Sequence, residues 1–269
     1  MSRNCLALVA GLIYLCMPLP AFSASPPEIG LDKAVLLHAR KVFQERTIDD
    51  PEKHPPTRSP AGRAVYRKTV DAVVLVVTQA GALGSGVVFH RDGWIVTNWH
   101  VVRDAPVVGV IFRQERFLSG GKLLEQDVVP AYVDHRDSTR DLALLRLARR
   151  PVPLVVVPFA DMRQIEVGED VYAIGHPKGL LWTYTQGVIS QIRPNYSWRT
   201  TGGTEHRATV IQTQTMVAPG SSGGPLFDPS GQLAGIIAVG HLDTPGLNFA
   251  VAANELTDFI RELTSTPRR

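Results

Sequence analysis

The segment from residue 218 to residue 227 carries residue types that suit nucleophilic chemistry. Its sequence is APGSSGGPLF, so Ser222 lies among glycines, and an apolar run over residues 232–240 follows it. Glycine allows unusual backbone dihedrals and lets another group approach closely. A serine in this setting is typical of a nucleophile whose neighbouring amides point at the reacting atom. A plain turn between two strands is the alternative interpretation of this segment taken alone.

Two titratable residues at the ends of apolar runs could complete that chemistry. His100 lies in the run IVTNWHVV at 95–102, and Asp141 lies in RDLALLRL at 140–147. A serine hydroxyl is a weak nucleophile and needs a base within hydrogen-bond reach, and an imidazole base is supported by a buried carboxylate. The chain order His, Asp, Ser is the order found in chymotrypsin-type enzymes.

The elements that must position these residues are short β-type runs. They are bounded by Gly, Pro or charged residues, which favours an all-β barrel or sandwich over βαβ units. Two sets of similar size suggest two barrels. The first set covers residues 72–78, 86–89, 94–97, 107–112, 127–133, 142–147 and 152–157, and the second covers 170–174, 184–192, 209–215, 232–239 and 247–251.

The N-terminus has the pattern of a secretory signal over residues 1–24. Arg3 precedes an apolar run at 6–15, and small residues at 21–25 mark a cleavage region. The apolar run is shorter than the roughly 20 residues of a membrane-spanning helix. Periplasmic or secreted localisation follows from this interpretation. An uncleaved anchor is the alternative, and it would be the chain's only contact with a membrane.

Helical spacing of apolar residues occurs at both ends of the mature chain. Residues 25–62 are predicted to form a short amphipathic helix at 31–45 and an extended linker at 49–62, which holds four prolines. The main domain is predicted over 63–269, with barrels at about 63–157 and 158–255 and a helix at 254–263. Asn254 can cap that last helix.

Composition excludes several other classes of function. Both cysteines, Cys5 and Cys16, lie in the signal segment, so the mature chain has neither a catalytic thiol nor a thiolate metal site. No spacing among the eight histidines resembles a metal-binding motif, so neither a metal nor another cofactor is expected. The net charge of +3 is small and gives no argument for nucleic acid or an anionic membrane as a partner.

Five segments resemble the HtrA/Deg-type serine proteases, a branch of the trypsin-like enzymes. The resemblance covers about residues 73–263 and implies an all-β fold of two six-stranded antiparallel β-barrels with short N- and C-terminal helices. Such proteins usually carry a PDZ domain after the protease domain; none is expected here, since the chain ends at Arg269. The segments are TNWHVV around His100, RDLALLRL from Arg140, AIGHPKGL at 173–180, QTQTMVAPGSSGGPLFD at 212–228 and LNFAVAANEL at 247–256.

The resemblance also implies roles for individual residues. Ser222 would be the nucleophile, His100 the general base and acid, and Asp141 the residue that orients the imidazole. The backbone N–H groups of Gly220 and Ser222 would form the oxyanion hole, where each donor is worth roughly 3–4 kcal/mol of transition-state stabilisation. Gly220 is expected to matter because a Cβ there could crowd the incoming carbonyl.

Other residues compete for these roles. Asp134 and Asp137 lie in a charged stretch at 134–140, where solvated turn residues are expected, so Asp141 is favoured. Ser221 is a neighbour of Ser222 but does not precede Gly-Gly. His176 stands where the family motif usually has Asn and is interpreted as a loop residue. His206 and His241 are interpreted as surface loop residues.

The glycines around Ser222 also satisfy the G-x-S-x-G pattern of α/β-hydrolases. Asp228 and His241 even follow in the required order. That nucleophile elbow must lead into a helix, and Pro225 and Pro229 forbid a helix at this point. The sequence therefore excludes the α/β-hydrolase interpretation.

The trypsin-like resemblance implies an apolar primary substrate pocket. No acidic residue stands at its expected base, so cleavage after small or medium apolar side chains is predicted. Polypeptides, unfolded or extended, are the expected partners, and the oligomeric state stays open. A catalytically silent, protease-like protein that binds peptides at a strand edge is the alternative function, and an esterase is a third. The expected pocket residues are Met216, Val217, Ala218, Ile237, Ala238 and Val239.

Overall fold

The computed structural model of the chain describes residues 30–44, 59–151, 153–200, 203–240 and 247–265. The predicted signal segment lies outside these ranges. Within them the chain is mostly β, with helices near each end. The strands are β1 Val73–Val77, β2 Leu83–His90, β3 Trp94–Thr97, β4 Val107–Phe112, β5 Val128–Asp137, β6 Leu142–Leu147, β7 Asp170–Gly175, β8 Thr183–Arg199, β9 Glu205–Thr213, β10 Pro225–Phe227, β11 Leu233–Gly240 and β12 Asn248–Ala252.

The first six strands form a closed antiparallel barrel. Its order is β1-β2-β3-β6-β5-β4, and β1 closes it by pairing with β2 on one edge and β4 on the other. Every side chain of β1, whose sequence is VVLVV, is buried. A strand buried on both faces is explained by its unbroken apolar sequence, since one set of side chains fills the barrel and the other set meets the rest of the molecule.

The last six strands also pair in a closed antiparallel ring. Its order is β10-β11-β12-β9-β8-β7, and β10 closes the ring against β7. The longest pair is β8 with β9, which share pairing from Ile189 with Thr213 to Arg199 with Glu205. Only three residues of β10 pair, which explains why the period-two pattern could not reveal this strand in the sequence.

The largest cluster of buried side chains joins the two rings. It contains Val73 and Leu75 of β1 together with Tyr172 and Ile174 of β7 and Phe227 of β10. Two smaller clusters lie within the first and the second ring respectively. The interface between the rings is therefore a continuous part of the hydrophobic core.

Helices cover the outside of this core. Helix α1, Lys33–Gln44, lies close to β1 and β4, and Val35 approaches Gly109 so closely that a Cβ at Gly109 would lie 2.5 Å from Val35 Cγ1. The predicted N-terminal helix is confirmed and packs on the first barrel. The other helices are α2 Pro60–Thr69, the single turns α3 Trp99–Val102 and α4 Glu115–Leu118, and α5 Ala253–Ser265.

The predicted C-terminal boundary of the extended linker, residue 62, is wrong. Residues 60–62 belong to α2 and are not extended, and Ser59 caps this helix because its Oγ accepts a hydrogen bond from the Gly62 N–H at 3.1 Å. A serine followed by proline at the first helical position is a start signal that the sequence carries. The C-terminal helix is confirmed, but it begins at Ala253, and the Oδ1 of Asn254 has no hydrogen-bond partner among the described residues.

The predicted strand at 152–157 is also wrong. Residues 153–157 form no strand and belong to the connection between the rings. The Val157 N–H donates to the Val88 carbonyl at 3.1 Å, and the Leu233 N–H donates to the Pro158 carbonyl at 2.8 Å. The apolar residues of this segment are explained by packing between the two rings, since Val157 belongs to the core cluster that joins them.

Candidate active site

The register of β3 and β6 brings His100 and Asp141 together. Thr97, the last residue of β3, pairs with Ala143 near the start of β6. His100 follows in α3, and Asp141 comes directly before β6. Residues 41 positions apart in the chain thus meet at one end of the first barrel.

Asp141 is fully buried and holds His100 at two points. Its Oδ2 lies 2.7 Å from His100 Nδ1, and its Oδ1 accepts the His100 backbone N–H at 2.9 Å. Its backbone carbonyl accepts hydrogen bonds from Asn98 Nδ2 at 2.9 Å and from the Trp99 N–H at 3.1 Å. A buried carboxylate in this position orients an imidazole and stabilises its cation.

The backbone of Asp141 adopts a left-handed conformation with φ +56°. Asp is one of the few non-glycine residues that visit this region, at a cost on the order of 1 kcal/mol. The conformation turns the chain from the loop into β6 while the side chain points at His100. Residue type alone could not reveal this turn.

The competing acids Asp134 and Asp137 have other partners. Both belong to β5, so the prediction that they lie in a solvated turn is wrong. Asp134 pairs with Arg146 at 2.5 Å, and Asp137 pairs with Arg140 at 2.7 Å. Neither carboxylate forms a described hydrogen bond with His100.

Arg140 fastens the Asp141 loop to helix α5. Besides Asp137, it binds Glu255 at 3.1 Å and Glu262 at 2.6 Å. The hydrogen bond with Glu262, followed by that with Asp137, raises the pKa of Arg140, and the same Glu262 contact lowers the pKa of the glutamate. The loop that carries Asp141 is therefore anchored both on β5 of the first barrel and on helix α5.

Ser222 lies in the loop between β9 and β10. No helix follows it, because residues 225–227 form β10, and this agrees with the exclusion of the α/β-hydrolase elbow. The Ser222 carbonyl accepts the Ser85 N–H of β2 at 2.8 Å, and the Gly223 N–H donates to the Ile237 carbonyl of β11 at 2.9 Å. The serine is thus held where the two rings meet.

Hydrogen bonds hold three backbone carbonyls of this loop in place. As a result, two backbone N–H groups of the loop point away from the bonded carbonyls. Lys178 N–H donates to Pro219 O at 2.6 Å, Ser85 Oγ donates to Gly220 O at 2.8 Å, and Gly224 N–H donates to Ser221 O at 2.9 Å. Because C=O and N–H point in opposite directions in a trans peptide, the first and third bonds set the directions of the Gly220 and Ser222 N–H groups. Among the described residues, neither N–H has a hydrogen-bond acceptor.

The structure gives a reason for glycine at position 220 that differs from the predicted one. Gly220 has φ +98°, which favours glycine, and a Cβ there would lie 2.3 Å from the carbonyl oxygen of His176. The added carbon would therefore collide with the protein backbone itself. Glycine is required because the 176–180 turn packs directly on the loop.

The Ser222 hydroxyl is directed at the second ring. Its Oγ lies 3.5 Å from the carbonyl of Ala238, and no hydrogen bond between Ser222 and His100 is found in the part of the chain that the structure describes. The His100 side chain is 19% exposed and Ser222 is half-buried. Catalytic hydrogen bonds are often long or absent without substrate, and a rotation about one side-chain bond can redirect a serine hydroxyl.

Two histidines differ from their predicted surroundings. His206, predicted on a surface loop, lies in β9 with 1% exposure; its Nδ1 donates to the Ser138 carbonyl at 2.6 Å. His176 lies in a turn as predicted, but it is completely buried, and burial lowers its pKa to about 3. His241 lies outside the described residues. Nothing in the local sequence signals these burials, which depend on packing between the two rings.

A small pocket lies beside the loop that carries Ser222. Its volume is about 10 Å³, and no acidic side chain lines it. Three of the residues predicted to form the substrate pocket line it, namely Met216, Val217 and Ile237. The predicted residues Ala218 and Ala238 do not line it, and the Val239 side chain lies outside the described part of the structure. The other lining residues were not predicted: they are Ala173, Ile174, Gly175, Pro177, Thr183, Thr185 and Ser221.

No candidate metal centre occurs in the described ranges. There, no group of three or more His, Asp or Glu side chains could hold a metal ion. In the same residues no helix is long and apolar enough to cross a membrane.

Comparison with known proteins gives matches over most of the described chain. Residues 84–236, more than half of the chain, match the family model for the trypsin-like peptidase domain. The Protease Do-like 1 of Arabidopsis thaliana chloroplasts is 37% identical over 196 residues, which cover 73% of this chain and 40% of the plant protein. The serine endoprotease DegS of Haemophilus influenzae is 32% identical over 213 residues, which cover 76% of this chain and 58% of that protein.

A solved protein structure also resembles this chain in its fold. The crystal structure of the serine endoprotease from Yersinia pestis is 29% identical, with a TM-score of 0.60, and covers 78% of this chain and 68% of that chain. The predicted mostly β, trypsin-like fold with short helices is therefore confirmed. The chain belongs to the trypsin-like peptidase family, and its relatives are serine endopeptidases of the HtrA/Deg type.

Proposed function

We propose that this chain is an exported serine endopeptidase that cleaves extended polypeptides with Ser222, His100 and Asp141. The arrangement of residues 214–224, the loop between β9 and β10 that we call the nucleophile loop, carries the proposal. The Gly220 and Ser222 N–H groups lack acceptors among the described residues, while the neighbouring carbonyls are fixed. Donors that are held in place before the substrate binds stabilise an oxyanion without reorganisation.

The reaction would use the two rings together. Ser222 Oγ attacks the peptide carbonyl while His100 accepts its proton, and the carbonyl oxygen takes the negative charge between the two N–H groups. The C–N bond then breaks as His100 returns the proton to the leaving amine. Asp141, held 2.7 Å from His100 Nδ1, keeps Nε2 directed at the reacting atoms. Water completes the cycle by hydrolysing the acyl-enzyme.

The substrate would lie along β11. Its pairing with β10 ends at Ile236, while its pairing with β12 continues to Gly240. Ile237 is bound through its N–H and its carbonyl to Gly224 and Gly223, so an extended peptide could add to the edge of β11 beyond Ile237 in the manner of a new strand. The small pocket beside Ser221 would then accept a small apolar side chain before the cleaved bond.

One observation favours the alternative, a silent peptide-binding protein. The Ser222 hydroxyl points at the Ala238 carbonyl at 3.5 Å. Labelling of the mature chain with a fluorophosphonate separates the two functions. A peptidase reacts at Ser222, and Ser222→Ala loses both labelling and cleavage of unfolded casein. Ser230→Ala, which alters only an exposed turn, retains both. A folded wild-type chain that neither reacts nor cleaves contradicts the proposal.

Substrate preference and export have their own tests. A peptide library should show cleavage after Ala, Val or similar side chains; a strong preference for Arg would contradict the apolar pocket. The exported chain should begin near Ser25 and be found outside the cytoplasm. An unprocessed chain in the membrane fraction would favour the uncleaved anchor instead.

A further inference from the structure

Ser85 of β2 lies under the nucleophile loop and is fully buried. Its backbone N–H donates to the Ser222 carbonyl at 2.8 Å, and its Oγ donates to the Gly220 carbonyl at 2.8 Å. A Cβ added at Gly223 would lie 2.1 Å from the Ser85 carbonyl oxygen. A residue of the first barrel thus supports a loop of the second ring by direct contact.

His176 completes the hydrogen bonds of the Ser85 hydroxyl. Its backbone N–H donates to Ser85 Oγ at 3.1 Å, and its Nδ1 lies 2.9 Å from the same oxygen. A hydroxyl has one proton, and that proton goes to Gly220 O. Nδ1 must therefore carry the imidazole proton and donate it, which agrees with a buried, neutral histidine. Nε2 is buried and has no hydrogen-bond partner among the described residues.

The turn that begins at His176 fixes another part of the loop. Gly179 N–H donates to His176 O at 2.9 Å, and Lys178 N–H donates to Pro219 O at 2.6 Å. The His176 ring also packs edge-on against Trp182, with centroids 5.2 Å apart. Anchoring the His176 ring therefore anchors the turn, and the turn sets the direction of the Gly220 N–H through Pro219.

We propose that Ser85 and His176 form one positioning unit that holds the oxyanion hole in its productive geometry. Ser85 acts on the loop directly through Gly220 O, and His176 acts through the Ser85 hydroxyl and through the Lys178–Pro219 bond. Neither side chain touches the reacting atoms. The inference rests on the proposed peptidase function, since the two N–H groups are useful only where an oxyanion forms.

The matched variants follow from side-chain geometry. The amide nitrogen of His176→Asn can occupy the place of Nδ1 and donate to Ser85 Oγ. The amide of His176→Gln reaches the place of Nε2 and leaves Ser85 without that donor. Ser85→Ala removes the hydroxyl altogether. Thr257→Ala is the control for loss of a buried hydroxyl, because its Oγ1 binds only the Ala253 carbonyl of α5 at 2.9 Å.

The test measures kcat and KM separately on an extended peptide. Ser85→Ala and His176→Gln should lower kcat by about 10- to 100-fold, because displacement of catalytic groups by about 1 Å costs on that order, while KM changes less than about threefold. His176→Asn should recover most of the lost kcat. The double variant Ser85→Ala/His176→Gln should be no slower than Ser85→Ala alone, because the two residues act as a unit.

Hydrogen exchange separates this proposal from the proposed function. Ser85→Ala and His176→Gln should speed exchange of the Ser221, Gly223 and Gly224 amides, while His176→Asn and Thr257→Ala should not. This readout holds even for a wild-type chain that cleaves nothing, an outcome that overturns the peptidase proposal and not the positioning unit. Equal kcat in wild type and Ser85→Ala, or equal behaviour of the Asn and Gln variants in both measurements, would overturn the positioning unit.

Discussion

Asp141 accepts hydrogen bonds from several donors, and its backbone adopts a strained left-handed conformation. Its side chain binds the ring and the backbone of His100, and its own backbone lies at φ +56°. The fixed geometry matters because it selects one tautomer of the imidazole. A neutral amide in the same place would bind the same groups but favour the wrong tautomer.

Asp141→Asn should therefore lower kcat by about 10³- to 10⁴-fold with little change in KM. The measurement is single-substrate kinetics on the peptide used for the wild type. Asp134→Asn is the matched control, because Asp134 pairs with Arg146 and should keep wild-type kcat. Equal losses in the two variants would contradict the assignment of Asp141.

His176 should make the folded chain sensitive to acid. Burial lowers its pKa from 6.5 to about 3, so the unfolded chain binds more protons than the folded chain between these values. Its contribution to the free energy of unfolding is full above pH 6.5 and is lost as the pH falls toward 3, at about 1.4 kcal/mol per pH unit.

Urea unfolding of wild type and His176→Asn at pH 7, 6 and 5 checks this. Asn does not titrate, so only the wild type should lose the stability that depends on His176. Relative to His176→Asn, its free energy of unfolding should fall by about 1.4 kcal/mol for each pH unit below about pH 6. Carboxylates with a lowered pKa, such as Asp127, also contribute less to stability in acid, but their contribution is the same in both chains and cancels in the difference. Parallel curves would show that His176 is charged or exposed in the folded chain.

At the scale of elements, α1 is a packed part of the first barrel. Val35, Leu36, Ala39 and Val42 are buried, whereas the neighbouring Leu37 is 67% exposed. The stability of this contact can therefore be measured with two adjacent leucines that differ only in burial.

Leu36→Ala should lower the free energy of unfolding by about 2–4 kcal/mol, because it deletes buried methyl groups and leaves a cavity. Leu37→Ala should change it by less than about 0.5 kcal/mol, as expected for an exposed position. Chemical unfolding of the full mature chain measures both. Equal small effects would mean that α1 is detached in solution.

The same elements show what the sequence could and could not predict. Apolar runs bounded by Gly and Pro predicted most strands, and helical spacing predicted α1 and α5, because these are local patterns. The prediction of a strand at 152–157 was wrong because the apolar residues there pack between the two rings and do not pair with another strand. His206 was misplaced because two of the groups that cover it, the Trp99 ring at 5.8 Å and the Ser138 carbonyl, come from the first barrel, far away in the sequence.

At the scale of the molecule, the two rings share their largest core cluster. The order of His100, Asp141 and Ser222 could be predicted from motifs, but the support that Ser85 gives to the loop could not, since it follows from how the rings dock. A shared core also predicts that the rings unfold together.

Thermal unfolding should show a single transition with the same midpoint for circular dichroism, tryptophan fluorescence and fluorophosphonate labelling. Trp94 reports on the first barrel and Trp198 on the second ring, so Trp94→Phe and Trp198→Phe should shift the fluorescence signal without separating the midpoints. Two resolved transitions would show that each ring is stable alone.

The bond between Ser85 N–H and the Ser222 carbonyl also has a consequence for the chain during its synthesis. A nascent chain that has emerged as far as residue 217 contains an imidazole and its carboxylate but neither the alcohol nor the oxyanion donors. Those groups are synthesised later, and we expect them to gain their geometry only when the two rings fold together, because Ser85 of the first barrel binds the Ser222 carbonyl. Self-digestion before folding is complete is thereby held back by the order in which the parts become available.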